Sequence, residues 1–227
     1  MPAPILVFDL DGTLVDTAPD LIDSLNHCLS SAGIEPATRD GIGFHVGLGS
    51  RAMIERAYAL RSRRIAAEEL ERLATTFLQH YAEAIPGRSA VYPRALEMLD
   101  RHAEAGFIFA ICTNKPEMLA QRLLTALGLA SRFAAICGAD TFAFRKPDPR
   151  HLLETIRLAG GDPERAVMIG DSRTDIATAK AAGIPVIALD FGYSDRPVVE
   201  YEPSVVASHF DAISVSLSQG LIHSAAA

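Results

Sequence analysis

The chain has 227 residues, of which 49% are hydrophobic, and its formal net charge is -7. This length and composition can bury a substantial core, which excludes a disordered protein. Its lysines are Lys115, Lys146 and Lys180, and the arginines are scattered, so no basic surface is predicted for binding nucleic acid.

The N-terminal residues and the cysteines indicate in which cellular compartment the protein is expected. The first apolar run is short because Asp9 follows it directly, and no stretch of the sequence approaches the ~18 apolar residues of a membrane span. We therefore expect no membrane contact and a cytoplasmic protein. The cysteines are odd in number and lie within apolar patterns, which predicts buried thiols in a reducing compartment; they are Cys28, Cys112 and Cys137.

A short apolar strand is predicted at residues 5–8, and two acids follow it. Gly12 supplies the turn that ends the strand. Because side chains alternate along a strand, Asp9 and Asp11 share a face, with Cα atoms roughly 6 to 7 Å apart if the extension persists. Two carboxylates can then converge on one bound group. A polar turn is the alternative, whereas a calcium loop fails because its twelfth position, Asp20, is not glutamate.

Residues 17–84 predict helices and no strand. Thr17 is the predicted N-cap of the first helix, with the acidic Asp20 three residues later, and Gly33 is predicted to end that helix. A glycine-rich connection over 41–49 leads to a second helix. The third helix has the clearest apolar stripe, formed by Leu70, Leu73, Ala74, Phe77, Leu78, Tyr81 and Ala82.

Beyond Pro93 the pattern alternates between helices and strands. Strands are predicted at 107–112, 134–137, 166–169 and 186–189, with helices between them that include 149–158 and 174–182. This alternation predicts a parallel sheet with right-handed crossovers, and ligands bind beyond the carboxyl ends of such strands. Asp9, Thr113 and Asp171 each follow a predicted strand.

Three further polar segments stand at or near helix starts. Thr113 and Asn114 lie where free backbone N–H groups favour an anion, although alone they are typical of a capping turn. Lys146 precedes Pro147 and would alone be a solvated charge. The segment 170–175 places two carboxylates at a helix start, where the helix dipole alone favours acids.

Together these segments resemble the four motifs of the haloacid dehalogenase-like hydrolase superfamily in order, spacing and position. The motifs fall on 9–13, on Thr113, on 146–147 and on 170–175. The resemblance covers nearly the whole chain and implies an α/β fold, with a Rossmann-like parallel sheet, helices on both faces and an inserted all-helical cap. It implies a catalytic core of 1–16 and 85–227 and a cap domain of 17–84.

The resemblance also implies catalytic roles. Asp9 is expected to be the nucleophile, which forms an aspartyl-phosphate, and Asp11 the general acid and then the general base. Thr113, Asn114 and Lys146 are expected to hold the phosphoryl oxygens. The expected partner is a small phosphorylated metabolite.

A magnesium ion is implied by the same motifs. Asp9, Asp171 and the backbone carbonyl of Asp11 are its expected ligands, with Asp175 binding directly or through water. The charges support this independently, because a phosphate monoester brings nearly two negative charges to a pocket of acids. A hard divalent cation with oxygen ligands offsets that repulsion.

Within the superfamily, the chain is most similar to phosphoglycolate phosphatases, on segments 111–116, 170–175, 179–183 and 191–193. A carbon-halogen hydrolase needs neither Asp11 nor the acids near Asp171, and a phosphonoacetaldehyde hydrolase needs a cap lysine that 17–84 lacks. A sugar-phosphate mutase and a pyrophosphatase stay as alternatives. A non-catalytic phospho-ligand binding module is a different class, and its mark would be loss of the nucleophile, acid or metal ligand.

The cap loop 45–51 is similar to a segment that reads substrate in relatives. Gly49 and Ser50 open a predicted helix, which makes them a candidate second anion site. Arg51 is a candidate bidentate partner for a substrate carboxylate, or else a solvated helix residue. A dinucleotide loop is excluded because no strand precedes these glycines. Both a monomer and a homodimer are compatible with the sequence.

Overall fold

The structure is a computed structural model that describes residues 2–225. In this range eight strands form: β1 (Ile5–Phe8), β2 (Val15–Asp16), β3 (Ala90–Val91), β4 (Ile108–Cys112), β5 (Ala135–Cys137), β6 (Ala166–Gly170), β7 (Val186–Leu189) and β8 (Val205–Ala207). Six of them make one sheet in the order β5-β4-β1-β6-β7-β8, and all its neighbouring strands are parallel. The predicted parallel sheet is confirmed.

Nine α-helices lie within the same range: α1 (Ala18–Ser31), α2 (Arg39–Ile42), α3 (Ser50–Ala59), α4 (Ala67–Ala84), α5 (Ala95–Glu104), α6 (Glu117–Ala126), α7 (Pro149–Leu158), α8 (Arg173–Ala182) and α9 (Val215–Ala225). Helices α5, α6 and α9 pack on one face of the sheet, and α7 and α8 pack on the other. The predicted α/β class with helices on both faces is therefore confirmed.

Strand β1 lies at the centre of the sheet and is buried on both faces. Leu6 and Phe8 point into one hydrophobic cluster, and Ile5 and Val7 point into the other; all four are fully buried. Burying each such side chain stabilises the fold by roughly 1.5–3 kcal/mol. Because β1 pairs with β4 and β6, the residue that follows Phe8 lies between the carboxyl ends of two neighbouring strands.

Helices α1 to α4 form a helical insert, residues 18–84, with a hydrophobic cluster of its own. Leu25, Met53 and Phe77 are at its centre, and Leu119 and Tyr193 join it from outside the insert. The antiparallel pair β2–β3 flanks the insert in sequence, since β2 ends at Asp16 and β3 begins at Ala90.

Helix α1 begins where predicted, but the predicted capping interaction is wrong. The Thr17 side chain makes no cap hydrogen bond, and Asp20 instead accepts hydrogen bonds from the backbone N–H groups of Arg88 and Ser89. The hydroxyl of Tyr193 accepts from the N–H groups of Thr17 and Ala18, at 3.0 and 2.9 Å. A residue distant in sequence therefore satisfies the helix start, which local spacing cannot reveal.

Several short elements were not predicted from the sequence. Strand β8 has three residues on the sheet edge, and β2 and β3 have two each, so their side-chain alternation is too short to read. Helix α9 mixes serines and a glycine into its apolar positions. The glycine-rich connection 41–49 contains a 3₁₀ helix at Gly43–Leu48.

The cysteines are free and buried, as predicted. Burial raises the pKa of the Cys28 thiol to about 11 and that of Cys112 to about 12, so both stay protonated and unreactive at neutral pH. Within residues 2–225, none of the helices combines the length and the apolar character needed to cross a bilayer.

Candidate active site

Four polar segments meet at the carboxyl edge of the sheet. Asp9 follows β1, and its backbone N–H extends the sheet by donating to Ile169 O at 2.9 Å. Asp171 follows β6 and Asp175 lies in the first turn of α8. Carboxylate oxygens of these three acids lie within 4.8 Å of one another. Parallel pairing of β1 and β6 produces this convergence, since it brings both carboxyl ends to one edge.

Lys146 lies inside this cluster with its side chain 2% exposed. Its Nζ donates to Asp175 Oδ1 at 2.6 Å and lies 2.9 Å from Asp9 Oδ1. The second contact is an ion pair without the alignment of a hydrogen bond, so Asp9 Oδ1 is a buried oxygen with no hydrogen-bond partner among residues 2–225. The Asn114 side-chain amide donates to Lys146 O at 3.0 Å and thereby fixes the peptide that carries the lysine.

Asp171 is held by two residues that the sequence patterns did not assign to the site. Thr13 Oγ1 donates to its Oδ1 and the backbone N–H of Tyr193 donates to its Oδ2, both at 2.6 Å. A Cβ on Gly192 would lie 2.2 Å from Asp171 Oδ2, and one on Gly12 would lie 2.6 Å from it. Glycines at both positions therefore allow the backbone to approach this carboxylate. Their occurrence beside the motifs is the signal available in the sequence.

Asp175 uses both carboxylate oxygens within the protein. Oδ1 accepts from Lys146, while Oδ2 accepts from the backbone N–H and the hydroxyl of Ser172, at 3.1 and 2.6 Å. The Ser172 hydroxyl in turn caps α8 by accepting from the Asp175 N–H. This capping box holds Asp175 in one orientation, from which it positions the ammonium of Lys146.

Asp11 lines the same cavity as Asp9 and is paired with Lys115, a residue that the sequence patterns did not assign to the site. Lys115 Nζ donates to Oδ1 and Oδ2 of Asp11 at 2.9 and 3.2 Å, and it stands 4.3 Å from the centroid of the Tyr81 ring. Thr113 is buried, and its hydroxyl accepts from the Lys115 N–H at 3.2 Å. Two of the chain's lysines, Lys115 and Lys146, therefore lie among its clustered acids.

Burial makes the negative charge of this site costly. Desolvation by burial is the largest cause of the raised pKa of Asp9, about 6, and of Asp171, about 8. The Asp175 carboxylate contributes to both increases, while the Lys146 ammonium opposes that of Asp9. A divalent cation is the ordinary means by which proteins stabilise converging carboxylates in the ionised form. The converging carboxylates of Asp9 and Asp171 fit such a cation.

A cavity of about 600 Å³ connects the sheet edge with the helical insert. Asp9, Asp11 and Lys146 line one side, and Gly49, Ser50 and Arg51 line the other. Arg51 donates its Nε to Glu71 Oε1 at 2.7 Å and pairs through Nη2 with Oε2; both side chains are 58% exposed. The predicted roles of these residues in binding substrate stay predictions, and the structure adds that they share one cavity with the acids.

Comparisons of sequence and of structure with known proteins point to the same family. The family model for haloacid dehalogenase-like hydrolases matches residues 6–189. A phosphoglycolate phosphatase of Mesorhizobium japonicum is 59% identical over 99% of both chains, and one of Agrobacterium fabrum is 49% identical over 99% of this chain and 97% of its own. A crystal structure of a predicted phosphoglycolate phosphatase from Haemophilus somnus has a TM-score of 0.84 at 29% identity, covering 92% of this chain and 95% of its own. The chain belongs to the haloacid dehalogenase-like hydrolases.

Proposed function

We propose that this protein is a magnesium-dependent phosphatase that hydrolyses phosphoglycolate. The observation that carries the proposal is the cluster at the sheet edge, where Asp9, Asp171 and Asp175 converge beside Lys146 and Asp11 lines the same cavity. The names of the similar proteins support the choice of phosphoglycolate over other small phosphate esters.

In the first chemical step, Asp9 attacks phosphorus. A bond forms between an Asp9 carboxylate oxygen and phosphorus while the bond from phosphorus to the alcohol oxygen breaks. Asp11 gives its proton to the departing oxygen, so that glycolate leaves as the alcohol. In the second step, Asp11 takes a proton from water, whose oxygen attacks the phosphoryl group and releases phosphate and the Asp9 carboxylate.

The phosphoryl group is held by Thr113, Asn114 and Lys146. Lys146 supplies the fixed positive charge, because Asp175 and Asp9 hold its ammonium in place. Asn114 acts on the same peptide through its hydrogen bond to Lys146 O. All three residues line the same cavity as Asp9.

Magnesium would be held by Asp9, Asp171 and the backbone carbonyl of Asp11. It would supply positive charge that offsets repulsion between these carboxylates and the phosphate. Asp175 is already paired with the ammonium of Lys146 at 2.6 Å, whereas Asp171 accepts from neutral donors; this favours Asp175 acting on the cation through water. Thr13 and Tyr193 hold the Asp171 carboxylate in the orientation that the cation needs.

We also propose that residues 17–84 are a cap domain on a core of 1–16 and 85–227. The insert has its own hydrophobic cluster, and it closes one side of the cavity with Val46, Phe77 and Tyr81. Such a cover limits the access of bulk water to the site while substrate is bound.

A panel of phosphate esters tests the proposed function. Phosphoglycolate, sugar phosphates, pyrophosphate and p-nitrophenyl phosphate are compared by phosphate release with magnesium and then with excess chelator. We expect the highest kcat/KM for phosphoglycolate and loss of activity with chelator. A higher kcat/KM for a sugar phosphate or for pyrophosphate overturns the substrate assignment, and absence of phosphate release from every ester favours a binding module.

A further inference from the structure

Four cationic side chains among the described residues line the cavity, and they differ in what they face. They are Arg51, Lys115, Arg145 and Lys146. Lys146 belongs to the phosphate end, beside Asp9. Arg51 and Arg145 are exposed at the rim. Lys115 is 7% exposed and is the one that contacts the carboxylate of Asp11.

Lys115 has capacity for a second anion. An ammonium group has three donors, and the contacts of Lys115 Nζ to carboxylates are both made to Asp11. The Tyr81 ring lies 4.3 Å from the ammonium, measured to the ring centroid. The face of an aromatic ring stabilises a cation but supplies no negative charge to pair with it. Apolar side chains of Phe77 and Leu119 also line this part of the cavity. In such surroundings an ammonium attracts an anion more strongly than it does in water.

The proposed reaction places the end of the substrate close to this lysine. The departing oxygen must lie within about 3 Å of Asp11 to receive its proton. In phosphoglycolate the carboxyl carbon is two bonds of about 1.5 Å each beyond that oxygen. The carboxyl carbon of the substrate therefore lies within about 6 Å of the Asp11 carboxyl group, whose oxygens are 2.9 and 3.2 Å from Lys115 Nζ.

We propose that Lys115 binds the carboxylate of the substrate and so selects small phosphorylated hydroxy acids. This inference rests on the proposed phosphatase function. The ammonium is shared between Asp11 and the substrate. Once Asp11 has given up its proton, the ammonium separates two negative groups that would otherwise repel each other at short range. Each of the two anionic groups of the substrate then meets a buried lysine, Lys146 at the phosphate and Lys115 at the carboxylate.

The competing role for Lys115 is to position Asp11 alone, and a matched pair of esters separates the two roles. Phosphoglycolate and its primary amide share the phosphate, the alcohol oxygen and nearly the same shape, but the amide lacks the negative charge. The ratio of their kcat/KM values reports recognition of the carboxylate. A residue that only positions Asp11 changes both values equally and leaves the ratio as it was.

The experiment measures this ratio in wild type, Lys115→Met, Lys115→Gln and Lys115→Arg. We expect a wild-type ratio of roughly 10 to 100, in line with loss of one hydrogen bond to a charged group. Lys115→Met and Lys115→Gln bring the ratio close to 1, and Lys115→Arg restores part of it. Lys180→Met is the control, because Lys180 is a half-exposed lysine paired with Glu202 outside the cavity, and its ratio should equal that of wild type.

Each outcome decides between the proposals. A wild-type ratio near 1, or an unchanged ratio in Lys115→Met, overturns the role of Lys115. Poor hydrolysis of phosphoglycolate relative to other esters overturns the proposed substrate instead, while the ratio still reports on Lys115. If Lys115→Met shows no cooperative thermal unfolding, the ratio is measured in Lys115→Gln, and a wild-type ratio kept by that folded variant contradicts the inference.

Discussion

The two sides of the cavity are constructed differently. At the sheet edge, the carboxylates of Asp9 and Asp171 follow fully buried strands, and each group contacts at least one buried partner. On the side of the helical insert, Arg51 and Glu71 form an ion pair that is 58% exposed at both ends. The sheet thus fixes the groups that we propose to contact the phosphoryl group. The groups at the rim of the cavity on the insert side can be substituted without disturbing the hydrophobic core.

The largest effect is expected on the sheet side, at the nucleophile. Asp9→Asn keeps the shape of the side chain but removes the attacking carboxylate, so phosphate release should fall by roughly 10⁴-fold or more. The control is Asp100→Asn, an exposed aspartate paired with Arg132 outside the cavity. Retention of more than a tenth of the wild-type rate in Asp9→Asn would show that another group attacks phosphorus.

Asp11→Asn should have the next largest effect, and its size should depend on the alcohol. Loss of general acid and base assistance costs roughly 10²-fold for an alkyl ester such as phosphoglycolate. The loss should be smaller for p-nitrophenyl phosphate, since a nitrophenolate departs without a proton. Equal losses for both esters in steady-state assays would contradict the role of Asp11 as the acid.

Magnesium should stabilise the fold, and more so at higher pH. Burial raises the pKa of Asp9 to about 6 and of Asp171 to about 8, so between about pH 4 and pH 8 the metal-free folded state binds more protons than the unfolded state. Its stability therefore falls as the pH rises through this range. A cation that binds the ionised carboxylates reverses this loss.

Thermal unfolding with and without saturating magnesium chloride, at pH 5 and pH 8, measures the effect. We expect the gain in Tm on adding magnesium to be larger at pH 8 than at pH 5. Calcium chloride at the same ionic strength is the control, because it shows how much of the gain in Tm comes from charge screening or from divalent cations in general. A gain that is the same at both pH values would show that Asp9 and Asp171 do not take up the cation.

The same contrast explains what the sequence can predict. The apolar run 5–8 identifies a central strand, and a parallel sheet then requires Asp9 and Asp171 to meet at one edge. Lys115 and Tyr193 escaped assignment to the site because their partners, Asp11 and Asp171, are distant in the chain. An amphipathic stripe shows which face of α4 is buried, but it does not reveal that Tyr81 covers a lysine.

Tyr193→Phe removes the hydroxyl that joins the sheet edge to the start of α1, and we expect a moderate loss of stability. The hydroxyl donates to Asp16 Oδ1 at 2.7 Å and accepts from the N–H groups of Thr17 and Ala18. Its loss leaves the buried N–H of Thr17 without an acceptor, whereas the N–H of Ala18 keeps Asp16 Oδ1 at 3.2 Å. We expect a cost of about 1–3 kcal/mol, or roughly 2–12 °C in Tm.

The backbone N–H of Tyr193 still holds Asp171 in this variant, so kcat should change little. Tyr201→Phe, at a tyrosine outside the cavity and the insert, is the matched control. An unchanged Tm in Tyr193→Phe would mean that water satisfies the start of α1 equally well.

The smallest effect is expected at the rim, at Arg51. Its guanidinium is exposed and held by Glu71, so it acts on an incoming anion mainly through screened charge. Arg51→Ala should raise the KM for phosphoglycolate by roughly 2- to 5-fold and leave the KM for a phosphate ester of an uncharged aryl group nearly unchanged. Glu71→Gln frees the arginine and should shift the KM for phosphoglycolate in the opposite direction. If Arg51→Ala instead removes the preference for phosphoglycolate over its amide, then the rim and not the buried lysine recognises the carboxylate, and the contrast between the two sides of the cavity fails.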